Sequence, residues 1–319
     1  KASGSIIKNV KSVIVPHTNG LKGIEVAAAA GALYGDADAK LEVLSSATRE
    51  QIEELPEYVQ NTNITVQHIE QGHVFDLEIH VYYEQEHASV RIVDTNIVQI
   101  EKNWQVIFED KTTSLELKAD HSALIMKQIW DFSQTVDIDD VKEILDRQIT
   151  CNMAIANEGI HNSYGANIGH VILNMDSDCV KTRAKAYAAA GSDARMNGCE
   201  LPVVINSGSG NQGITCCVPV VVYAKELDCT QEQLYRALVL SNLTAIYIKT
   251  GIGTLSAFCG AVSAGAAAGA GIAYLHNGTY KEIQHTIVNA LAILSGTICD
   301  GAKASCAAKI ASSIDAGIM

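Results

Sequence analysis

Aromatic residues make up only 5% of this 319-residue chain, and it has 4 prolines. Large aromatic anchors are too few to fill a core, so aliphatic side chains and alanine must do so. Positive charge is scarce as well: 23 Lys and Arg stand against 36 Asp and Glu, a net charge of −13. That excludes an electrostatic nucleic-acid binder, which needs a basic face, and a surface that adheres to anionic lipid. Cysteine is missing from the first 150 residues; all 9 cysteines fall between Cys151 and Cys306. An odd number with no secretory leader does not suit a secreted disulfide framework, and it reads as reduced thiols in a cytoplasmic protein. The chain opens at Lys1 without a methionine and reads as processed or shortened, with residues expected upstream.

What is present is 48% hydrophobic and 18% charged, the make-up of a globular chain of about two domains. Residues 23–34 and 40–54 read as helices, separated by a turn and a capping signal at Gly35–Asp38. From 63 to 109 the period changes to two. ITVQHIE, HVFDLEIHVYY, ASVRIVD and WQVIFED alternate apolar and polar residues, with turns at Gln71–Gly72 and Glu101–Asn103. These predict a small antiparallel sheet. Beyond Lys118 the pattern is helical: an amphipathic helix from Asp139, another behind a capping box at Thr230 and Gln233, and a last one starting after Asp300. The stretch 254–276 carries no charge and is long enough to span a bilayer. It is rich in Ala, Gly and Ser and lacks flanking basic residues, so it reads as a tightly packed central helix and no membrane contact is expected. The fold class is α+β: a mainly α-helical catalytic domain (1–45 and 119–319) with a small antiparallel-sheet α+β insertion at 46–118. The insertion is a candidate regulatory or dimerising element.

Four places could carry chemistry. The run Asn206-Ser207-Gly208-Ser209-Gly210-Asn211-Gln212-Gly213 can turn successive backbone N–H groups toward one anion, a carboxylate or phosphate. It lacks the Lys-Ser/Thr ending of a P-loop, and an ordinary polar turn is the plain alternative. Cys259, Cys299 and Cys306 are candidate thiolate ligands, Cys299 at a helix start where its thiol would ionise readily. Cys299 and Cys306 would lie about 10.5 Å apart within one helix; structural cysteines are the alternative. Residues 191–198, GSDARMNG, read as a loop presenting charge, with Arg195 a carboxylate clamp or half of a surface ion pair. Pro16-His17-Thr18-Asn19-Gly20 reads as a turn, His17 being a base or a solvated side chain.

SDARMNG (192–198), NSGSGNQGI (206–214), LSAFCG (255–260), ICDGAKASCAAKIASS (298–313) and the early segment 8–44 together resemble the serine dehydratase α-chain-like family, nearest its L-cysteine desulfidase branch. The resemblance implies a PLP-independent, oxygen-sensitive carbon–sulfur lyase that uses a [4Fe–4S] cluster to convert L-cysteine to pyruvate, ammonia and sulfide. It implies Cys259 and Cys299 as cluster ligands. The family's third cysteine lies in a Gly-Cys-Thr-Glu-Pro motif that would fall upstream of Lys1, Cys306 being the substitute within the chain. The loop Ser207–Gln212, with Arg195, would hold the substrate carboxylate. Lys8, His17 and Lys303 are the candidate bases, Lys303 being nearest Cys299 in sequence. L-serine dehydration is the close variant. A PLP lyase and a non-catalytic amino-acid-binding module are the competing classes.

Overall fold

The computed structural model describes residues 1–70, 73–94, 96–110, 121–253 and 256–319. The expected turn at Gln71–Gly72, the boundary at 118 and the first two residues of the 254–276 stretch lie outside the described residues. Two compact units are present, Lys1–Asp120 with Asp300–Lys303, and His121–Cys299 with Ala304–Met319. Residues 1–45 thus share a unit with the sheet.

The first unit holds strands β1 (Ala2–Ser3), β2 (His68–Ile69), β3 (Asp76–Tyr83), β4 (Glu86–Val93), β5 (Asn96–Lys102) and β6 (Gln105–Glu109) in the order β2-β1-β3-β4-β5-β6. β3 to β6 form antiparallel hairpins, but β1 pairs in parallel with β2, so the sheet is mixed rather than antiparallel throughout. A two-residue strand is too short to carry a period-two signal, which is why β1 escapes the pattern. β5 was not among the expected strands. It follows β4 through a tight turn at Asp94, whose φ of 51° is the left-handed value such turns require. Helices α1 (Gly4–Val10), α2 (Ile24–Tyr34) and α3 (Arg49–Asn61) accompany the sheet. The helix expected from residue 40 begins instead at Arg49, because Thr48 and Gln51 form a complete capping box there.

The second unit is helical: α4 (Met126–Thr135), α5 (Ile138–His161), α6 (Ile168–Leu173), α7 (Val180–Met196), α8 (Gly210–Glu226), α9 (Gln231–Ile252), α10 (Gly260–Leu275), α11 (Tyr280–Ile293) and α12 (Cys306–Ile318). α10 is the central member, packed by α8, α9, α11 and α12. Its small residues allow this. A Cβ on Gly265 would meet Ser313 Cβ at 2.5 Å, and one on Gly269 would meet the Gly317 carbonyl at 2.3 Å. These two contacts advance together along both chains, so α10 and α12 run parallel. No helix among the described residues is long and apolar enough to cross a membrane.

Three local expectations are corrected. GSDARMNG is not a charge-presenting loop: residues 191–196 close α7, and Ser192 and Asp193 are buried. The last helix starts at Cys306, not after Asp300, since bends and turns occupy 302–305. Cys259 caps α10 instead of lying within it.

Candidate functional site

The site is built where helix N-termini meet. Asn206 and Ser209 exchange backbone hydrogen bonds of 3.1 and 3.0 Å around Ser207 (φ 49°) and Gly208 (φ 76°), a two-residue turn that needs left-handed backbone at both positions. Ser209 then caps α8 by accepting from the Gln212 N–H. Two of the motif's glycines serve close approach inside the helix. A Cβ on Gly210 would strike Arg195 Nε at 2.4 Å, and one on Gly213 would reach the Val204 carbonyl at 2.0 Å.

Buried amides hold this turn in place. Asn152 of α5 donates to the Val204 carbonyl at 3.1 Å and accepts from its N–H at 2.9 Å. Asn206 donates to Asn242 Oδ1 at 2.9 Å, and Asn242 exchanges hydrogen bonds with Gln148. Sequence reasoning passed over Asn152, Gln148 and Asn242. Their signal was a polar side chain on the otherwise apolar stripe of a long helix.

Cys259 and Cys299 come together. The Cys259 N–H donates to the Thr297 carbonyl at 3.1 Å and the Cys299 N–H to the Ala257 carbonyl at 2.7 Å, bridging Phe258 to Ile298. Across this bridge the two thiols share a hydrogen bond, which together with burial raises the Cys259 pKa. Cys299 does not stand at a helix start: it precedes the turn segment, and the thiol at an N-cap is Cys259. Lys309, which the sequence reading did not select, donates to the Ile298 carbonyl at 3.0 Å and places a positive charge near Cys259. Gln212 lies over Gly260, where a Cβ would approach its side chain to 2.6 Å, so the start of α8 adjoins the start of α10.

Arg195 reaches the same place from the end of α7, with Nη1 at 3.4 Å from Asn211 Oδ1. Burial lowers its pKa, and nearby Cys306 works in the opposite sense. Arg195 is thus neither in a loop nor in a surface ion pair. Cys306 opens α12 beside it. Ser207, Gly208, Ser209, Gly210, Asn211, Gln212, Arg195, Cys259, Cys299 and Cys306 all belong to the second unit, and Lys8, His17 and Lys303 to the first. Lys303 forms an ion pair with Asp300. Gly301 packs on the Lys8 carbonyl at a φ of 116°. His17 is exposed in its turn, with a φ of 63°.

Paired sulfur donors on adjoining backbone segments have the donor chemistry of an iron–sulfur site. Among the described residues no group of three His, Cys, Asp or Glu could hold a metal ion, so Cys306 does not complete the expected three-thiol set with Cys259 and Cys299.

Residues 38–319 match the family model described as serine dehydratase alpha chain. A UPF0597 protein of Desulfitobacterium hafniense is 53% identical over 323 residues, spanning all of this chain and 75% of its own length. UPF0597 proteins of Lachnoclostridium phytofermentans and Finegoldia magna are 49% and 48% identical, each over all of this chain and 77% of their length. No solved structure matches the chain.

Proposed function

The chain belongs to the serine dehydratase alpha chain family, which points to a lyase-type enzyme, and on that premise we propose that it is a PLP-independent L-cysteine desulfidase working through a [4Fe–4S] cluster. The observation that carries the reading is the meeting of Cys259 and Cys299 beside the N-termini of α8 and α10. Cys259 and Cys299 would hold the cluster, with a third thiolate that no described residue brings beside them. The chemistry such a cluster supplies is Lewis acidity, at an iron with an open position, toward the leaving group.

The chain's own residues bind and orient the substrate. The Ser207–Gln212 turn and the unsatisfied amides at the start of α8 receive the carboxylate, and Arg195 adds a cation at Asn211. In the elimination the Cα–H and Cβ–S bonds break and a carbon–carbon double bond forms. Hydrosulfide leaves and takes up the Cα proton as hydrogen sulfide, and 2-aminoacrylate takes up water to give pyruvate and ammonia, with no net redox change. L-serine would follow the same course with water as the leaving group.

The test is anaerobic reconstitution with iron and sulfide. The expected result is a brown protein that releases sulfide from L-cysteine, and a Cys299→Ala variant lacking colour, bound iron and turnover. A colourless variant that kept its turnover would overturn the cluster assignment.

A further inference from the structure

Phe258 and Ile298 face each other across the bridge and turn outward, 54% and 64% exposed. Side chains alternate along extended backbone, so Cys259 and Cys299, each one residue further on, share the inner side. There Cys259 is buried and Cys299 half-buried. The hydrogen bond between the thiols brings the two sulfurs into contact. The segments that carry them are pinned. The Cys259 N–H donates to the Thr297 carbonyl, the Cys299 N–H to the Ala257 carbonyl, and Lys309 of α12 to the Ile298 carbonyl.

A disulfide forms where two cysteines lie close and their side chains point toward each other. Thiols that already share a hydrogen bond across a fixed bridge meet that demand without local unfolding. Among the described residues no third His, Cys, Asp or Glu joins them in a metal-holding group. Two sulfurs in contact without a third donor make a dithiol, whose own chemistry is reversible oxidation. Cys216 and Cys217, by contrast, are wholly buried in α8, out of reach of a reagent.

We propose that Cys259 and Cys299 form a reversible intrachain disulfide when the protein carries no metal, a modification site oxidised by low-molecular-weight disulfides. Cys299, the more exposed, attacks one sulfur of the reagent. The reagent's S–S bond breaks, one half leaves as a thiol and the other stays on Cys299. Cys259 then attacks the Cys299 sulfur and expels the second half. Two protein thiols are oxidised, the reagent is reduced to two thiols, and each departing thiolate takes the proton given up by the cysteine that displaced it. The disulfide stands independently of the cluster reading; its consequence, that oxidation closes the site to iron, rests on that reading. In the test, the reduced, metal-free protein is held anaerobically in mixtures of reduced and oxidised glutathione. Remaining thiols are alkylated and unreduced peptides identified by mass spectrometry. The expected result is that Cys259 and Cys299 escape alkylation together, in a linked peptide pair that dithiothreitol separates. A Cys259→Ser variant should stop at a glutathione adduct on Cys299. Iron uptake from ferrous iron and sulfide should be lost in the oxidised protein and return on reduction. If both cysteines of the unaltered protein stay open to alkylation, or pair with other cysteines, the proposal is overturned whether or not the variant folds, and the cluster reading is untouched. A linked pair in a protein whose reduced form takes up no iron upholds the disulfide and sinks the cluster reading.

Discussion

The two units are packed by opposite means. In the first, side chains do the work. Arg91 makes two hydrogen bonds to fully buried Asp76, of 3.1 and 2.9 Å, and His87 stacks on Trp104 with ring centres 4.0 Å apart. In the second, the lack of side chains does it: α10 buries Ala, Gly and Ser along most of its length. The difference has a functional consequence. Helices separated by large side chains lie 8–10 Å apart, whereas small residues let backbones close in. The starts of α8 and α10 can then adjoin, so that unsatisfied N–H groups, Cys259 and Gln212 share one place. Close packing in the second unit is thus a condition of the candidate site's geometry, not only of stability.

The strongest way to break this comparison is to add methyl groups where the helices touch. At Gly265 and Gly269 the added Cβ atoms meet backbone of α12 at 2.6 and 2.3 Å, which no rotamer change can relieve. Gly265→Ala with Gly269→Ala should cost roughly 2–6 kcal/mol in denaturant unfolding. If the proposed cluster is bound, the double change should also lower iron uptake by the folded fraction, because α12 carries Lys309, which holds the Ile298 carbonyl beside Cys299. A cost under about 0.5 kcal/mol, the scale of neutral surface changes, would show that the helices part freely and that the packing argument fails.

A smaller effect sharpens the comparison from the polar side. Asp193 is buried on α7, with Oδ2 accepting from the Gly169 N–H at 3.3 Å and Oδ1 unpartnered among the described residues. Burial raises its carboxyl from 3.8 to about 6, while the amides of Gly169 and Ile168 and nearby His170 pull the other way. The unfolded chain releases this proton near the ordinary value and the folded chain holds it longer. Stability from this group is therefore present at low pH and is lost as pH rises through about 6. Asp193→Asn should remove the loss, gaining on the unaltered protein by on the order of 1–3 kcal/mol between pH 4.5 and 7. A constant difference over that range, measured by chemical unfolding, would count against the buried-carboxylate account.

Much of this fold could be read from local pattern. α5 and α9 follow from helical periodicity and, at Thr230 and Gln233, from a complete capping box. The mostly helical α+β class follows from the change of period near residue 63. What local pattern hid was set by tertiary context. Ser192 and Asp193 look like loop residues, yet they lie inside α7 because α6 packs on that turn and its Gly169 N–H meets the carboxylate. Asp300 and Ser305 both offer helix starts, and the chain uses the later one. The candidate site was legible in pieces. The Ser209 cap and the turn before it are written in consecutive residues. Cys259 and Cys299 stand 40 residues apart and meet through a single bridge that no periodicity announces, so spacing offers them only as candidates beside plain structural cysteines, and the resemblance pairs them.

The gentlest test uses the same substitution with the opposite sign. Gly31 lies in the exposed face of α2, and a Cβ built there meets nothing within 4 Å. Its only effects are local: the unfolded chain loses conformational freedom and the helix gains a better former. Gly31→Ala should therefore stabilise the protein by about 0.5–1 kcal/mol, readable as a raised unfolding midpoint at unchanged denaturant slope. Were Gly31→Ala to destabilise the protein as the α10 changes do, glycine in the first unit would also be serving close approach, and the contrast between the two modes of packing would collapse.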